Sequence, residues 1–72
     1  MRVNLRNISN IELAKLFDLA AKIDDQNIAK KIVCQLAYRH HESFETQLQC
    51  LSKRAVKREN YSSFNMVSKL WK

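Results

Sequence analysis

Apolar residues return at steps of four, with one step of three, through Ile28, Ile32, Leu36, Phe44, Leu48, Leu51 and Ala55, interrupted only at His40. That spacing marks one face of an α-helix. An earlier helix is announced by Ser9 followed by Glu12, a capping box in which the serine hydroxyl takes the N3 amide. Ile8 and Leu13 stand where a hydrophobic staple would close around that cap. Leu13, Leu16, Phe17, Ala20 and Ile23 then form its apolar face, with Glu12, Lys15, Asp18 and Lys22 pointing elsewhere.

Asp24-Asp25-Gln26-Asn27 ends this first helix, and either aspartate can cap the next. If Asp24 is the cap, Ile23 staples to Ile28. So short a connection predicts an antiparallel helical hairpin, with Ala20, Ala21, Ala29 and Ala37 allowing close approach. Ile28, Ala29, Ile32, Val33, Leu36 and Ala37 make the second inward face.

Two arrangements compete at Arg39-His40-His41-Glu42-Ser43. The apolar period crosses it almost in register, which one long helix from 25 to 58 would satisfy. A break there would place Arg-His-His at a helix end, where cations are favoured, and let Ser43 cap a third helix. In the second arrangement Phe44, Leu48, Leu51, Ala55 and Val56 turn inward. Asn60-Tyr61-Ser62-Ser63 is the next loop, with serine as the cap, before a short helix carrying Phe64, Val67, Leu70 and Trp71.

The expected architecture is all-α: one domain over 1–72, a small bundle of three or four helices begun by a hairpin. Its parts are a flexible arm (1–8) and helices at 9–23, 25–40, 44–59 and 63–71. No internal repeat stands out. Composition supports the class, because the chain has neither glycine nor proline. Tight hairpin turns need glycine or asparagine at positive φ, and all-β chains are normally rich in glycine, so an all-α class is favoured. Phosphate-cradling loops and dinucleotide fingerprints need glycine itself and are excluded.

The chain has 72 residues, of which 46% are hydrophobic. A core of this size supplies only about 3–5 kcal/mol, so a homodimer covering surplus apolar surface is expected. Phe44, Leu48, Leu51, Ala55 and Trp71 are the residues expected to share core and subunit interface. No apolar run reaches the roughly 18 residues of a membrane span. With no secretion signal apparent, the expectation is a cytoplasmic protein that makes no membrane contact and has reduced thiols. Cys34, among Ile32, Val33 and Leu36, reads as a buried small hydrophobe.

Charge changes the picture. Up to residue 52, seven Lys and Arg face six acids; from 53 onward Lys53, Arg54, Lys57, Arg58, Lys69 and Lys72 face Glu59 alone. Lys53, Arg54, Lys57 and Arg58 recur at i, i+1, i+4 and i+5, a stripe of four cations along one side of a helix. Such a stripe suits an acidic patch on a protein partner or a nucleic-acid backbone. It equally suits plain solvation. Adjacent His40 and His41 point about 100° apart on a helix, and no Cys-x-x-Cys or His-x-x-x-His is present, so no metal and no cofactor is expected. No nucleophile meets a base at helical spacing, and no catalytic residue is expected.

Leu19-Ala20-Ala21, Asp24-Asp25, Ala29, Leu36-Ala37, Cys50 and Arg54 form a layout that resembles the ANR family, the AraC negative regulators of enteric bacteria. The chain departs from that pattern at Gln26-Asn27-Ile28, where the family often has glycine and an aromatic. It departs again in carrying its only tryptophan at position 71. The resemblance implies a short helical regulator that binds AraC-type transcription activators and blocks their dimerisation or DNA binding, with nucleoid-structuring proteins as a further contact. The leading expectation is therefore regulation through a protein partner, with Lys53, Arg54, Lys57 and Arg58 as the partner-binding residues. The alternative is a small basic nucleic-acid-binding or nucleoid-associated regulator.

Overall fold

A computed structural model describes residues 7–71. The arm expected over 1–8 lies outside the described residues as far as residue 6, as does Lys72. Four helices follow one another: α1 (Asn10–Lys22), α2 (Gln26–His40), α3 (Phe44–Lys57) and α4 (Tyr61–Leu70). The chain is an all-α small bundle. Among the described residues no helix is long and apolar enough to cross a membrane.

Every helix start is held by a short polar side chain. Ser9 accepts from the Glu12 amide, Asp25 from Ile28, Ser43 from Thr46 and Asn60 from Ser63, all at 3.1–3.2 Å. Each satisfies one of the amides that a helix leaves without an internal partner. The ends of α1, α2 and α3 are built alike. Asp24, His41 and Glu59 take φ of 57°, 53° and 55°. The amides after them, those of Asp25, Glu42 and Asn60, reach back to Ala20, Ala37 and Ala55 at 2.8–3.0 Å. This is the Schellman closure, normally given to glycine because a Cβ costs about 1–2 kcal/mol in the left-handed region. A chain without glycine must place polar residues there instead.

These caps settle the point the sequence left open. The helical run breaks at His41, and α2 and α3 are separate. They also account for departures from expectation. Of the two candidate aspartates Asp25 caps α2, so no staple forms, and Ile23 and Ile28, expected on inward faces, are exposed. Asn60 rather than a serine caps α4, which therefore starts at Tyr61 and not at 63. In α4 Ser63, Met66 and Val67 are buried, while Phe64, expected inward, is 39% exposed.

The α1–α2 and α3–α4 corners are the same corner built twice. Ile23 and Arg58 have φ,ψ of −95°, 5° and −96°, 4°, and the following caps Asp25 and Asn60 have −92°, 89° and −92°, 88°. The duplication is invisible in the sequence because Ile23-Asp24-Asp25 and Arg58-Glu59-Asn60 share backbone role rather than side-chain identity. Within each hairpin the helices pack closely; α1 also packs on α4, and α2 on both α3 and α4.

The core gathers Leu13, Phe17, Ile32, Val33, Leu48 and Met66, all essentially inaccessible, with Leu36, Leu51 and Val67 beside them. Ile8, Leu16, Phe44 and Leu70 close its margins, half-buried. Cys34, expected inside, is exposed, as is Cys50. The α2 face that enters the core runs through Ala29, Ile32, Val33, Leu36 and Ala37, and Cys34 falls on the opposite side of the helix. Val56 likewise points out, because Leu48, Leu51 and Ala55 already define the inner side of α3.

Candidate functional site

The basic stripe lies on α3 as the sequence places it, but its four cations do different things. Lys53, Lys57 and Arg58 are exposed, and among the described residues none of their side chains enters an ion pair or hydrogen bond. Arg54 is turned inward. Its Nη1 donates to both oxygens of Asp18 on α1, at 3.2 and 3.3 Å, with both side chains largely covered. The same carboxylate accepts the Ser63 hydroxyl at 2.6 Å. Ser63 is 2% exposed, so its hydroxyl has exchanged water for Asp18. Arg54, expected to meet a partner, is thus committed to holding α1, α3 and α4 together. Asp18 was expected on a solvent face because the pattern of α1 alone gives no sign of a third helix above it.

Of the remaining cations, Lys53 and Arg58 each border a cleft. Together α3 and α4 form a groove of about 380 Å³ lined by Leu48, Gln49, Ser52, Lys53, Val67 and Trp71. Trp71, just past α4, is 40% exposed. It also edges a smaller cleft of about 290 Å³ with Phe44, Lys30 and Lys69. Arg58 faces Lys15 and Lys22 of α1 across a further cleft of about 470 Å³. Sequence reasoning missed Lys15 and Lys22 as site residues, since they are distant in the chain and become neighbours of Arg58 only through the packing of α1 on α4.

Of the residues expected to serve both core and interface, Leu48, Leu51 and Ala55 are buried within a single copy. Phe44 is half-buried and Trp71 more open, so these two alone keep apolar surface for a second chain. His40 and His41 are exposed at the end of α2, as expected of helix-end residues. Nearby, Arg39 donates to Asn10 at 2.9 Å, and Gln47 donates to Glu42 at 3.1 Å. A further ion pair, Lys69 to Asp24 at 2.6 Å, ties the end of α4 to the first corner. Among the described residues no three His, Cys, Asp or Glu side chains are gathered as metal ligands.

Comparison with models of known protein families, with curated proteins and with solved structures yields no match to this chain.

Proposed function

We propose that this protein is a small regulator that acts by docking on another protein through the edge formed by α3 and α4. The observation that carries the reading is the groove in which a partly open Trp71 and buried-edge Leu48 and Val67 stand beside the unpaired Lys53. Tryptophan in a partly dry groove is the kind of residue that dominates binding energy, and a cation at the rim speeds and orients encounter with an acidic partner. An amphipathic helix with an apolar anchor and an acidic flank has the matching chemistry. The resemblance to the AraC negative regulators suggests the partner class: a transcription activator of the AraC type, held from dimerising or from binding DNA.

Binding of a purified AraC-type activator to the wild-type chain, to Trp71→Ala and to Lys53→Glu/Lys57→Glu tests this. Trp71→Ala should slow nothing but hasten dissociation, weakening affinity by about 2 kcal/mol. The charge reversal should mainly slow association. Unaltered binding by both variants would remove the groove from the account. A homodimer would use the same edge, and a solution mass of twice 8.5 kDa that falls to one chain in Trp71→Ala would assign it there.

A second reading, a nucleic-acid-binding regulator, is favoured by Lys53, Lys57 and Arg58, which are exposed and enter no ion pair among the described residues. Arg54 is not part of it. For that reading, Lys57→Glu/Arg58→Glu should weaken binding to all duplex sequences alike and flatten the salt dependence.

A further inference from the structure

The cleft between α1 and the α3–α4 corner has a composition that the docking groove does not. Lys15 and Lys22, two turns apart on one side of α1, face Arg58 at the end of α3. None of the three has an ion-pair partner among the described residues. Among the described residues the one carboxylate in the cleft wall, Asp18, is already engaged by Arg54 and by the Ser63 hydroxyl. Its carboxylate is therefore already hydrogen-bonded to residues within the fold.

Two neutral donors complete the lining. Asn60 spends its side-chain oxygen on the Ser63 amide, which leaves its NH2 group as a donor. The Ser62 hydroxyl is exposed beside it. Leu19, 58% exposed, adds an apolar wall. Three cations lining one cleft, whose wall carboxylate Asp18 is already paired with Arg54, repel one another, and a polyanion entering between them relieves that repulsion. Phosphate groups, with several acceptor oxygens and an affinity for the guanidinium fork, match the donor set better than a single carboxylate. The volume, about 470 Å³, lies in the range of small-molecule sites.

We propose that this cleft binds a small phosphate-bearing ligand, with Lys15, Lys22 and Arg58 on the phosphate oxygens, Asn60 and Ser62 as neutral donors, and Leu19 against any organic part. The site is separate from the α3–α4 groove, and its failure would leave the docking proposal standing. Occupancy would brace α1 against the second corner, the same junction that Asp18, Arg54 and Ser63 secure from within.

Amide NMR titration with inorganic pyrophosphate and with a nucleoside diphosphate, at constant ionic strength and with sulfate as the comparison anion, tests the proposal. The expected result is saturable shifts at Lys15, Lys22, Arg58, Asn60 and Ser62. In Lys22→Gln/Arg58→Gln the dissociation constant should rise by about tenfold or more. Lys30→Gln/Lys31→Gln, which removes the same charge from α2, should bind as the wild type does, and both variants should melt as the wild type does. Tighter binding of the nucleoside diphosphate, with shifts at Leu19, would assign the apolar wall to a base; equal binding of the two would assign the site to phosphate alone. Non-saturating shifts spread over every lysine, sulfate binding equally well, or equal loss in the α2 control would overturn the proposal.

Discussion

Replacing Asp18 with alanine removes a carboxylate of α1 that holds both Arg54 of α3 and Ser63 of α4. The loss has two parts of different size. Ser63 would keep a hydroxyl that is 2% exposed and has lost its acceptor, which costs about 1–3 kcal/mol. The Arg54 contact adds little, roughly 0–1 kcal/mol, because both side chains retain some solvent and salt screens them. Together the change comes to about 1–4 kcal/mol, much of what a core this small supplies. In urea, followed by helical circular dichroism, the midpoint should fall by at least about 1 M for a slope near 1 kcal/mol/M. Ser63→Ala removes the orphaned hydroxyl, so the double variant should lose less than the two single changes added, with a coupling of at least about 0.5 kcal/mol. High salt should erase only the Arg54 share. An Asp18→Ala midpoint equal to the wild type, or strict additivity with Ser63→Ala, would refute the assignment of Asp18 as the junction.

Other positions give further expectations. Leu48→Ala, at a side chain only 1% exposed, should cost about 2–5 kcal/mol, and an unchanged melting curve would place Leu48 outside the core. Ser43→Ala removes the cap that starts α3 and should cost about 1 kcal/mol in denaturant unfolding. Glu59→Gly relieves a left-handed residue at the second corner and should change stability by no more than about 1 kcal/mol, in the stabilising direction; a clear loss would contradict the Schellman closure there. Both cysteines should react with a thiol reagent in the folded protein at the rate of free thiols, and slow labelling of Cys34 would contradict its place on the outer side of α2.

The helical class and the order of elements were legible in the sequence because capping residues and the four-step apolar period act locally. Ser9 and Ser43 could be read directly from the residues that follow them. The choice between Asp24 and Asp25, or between Asn60 and the serines, could not be, since all are competent caps and the preceding Schellman closure decides among them. On α4, Phe64 and Ser63 exchanged their expected places. The site was legible as a stripe of charge and not as a surface. Nothing in the spacing of Lys53, Arg54, Lys57 and Arg58 distinguishes an arginine aimed at Asp18 from its exposed neighbours. Nor does linear order bring Lys15 and Lys22 to Arg58.

The central claim, docking through the α3–α4 edge, is tested most directly by nuclease-treated affinity capture from cell extract with two baits, the wild-type chain and Trp71→Ala, and the bound proteins identified by mass. The account predicts that a transcription activator stays with the wild type after nuclease treatment and is lost from Trp71→Ala. Loss of every partner on nuclease treatment, or equal capture by both baits, would contradict it.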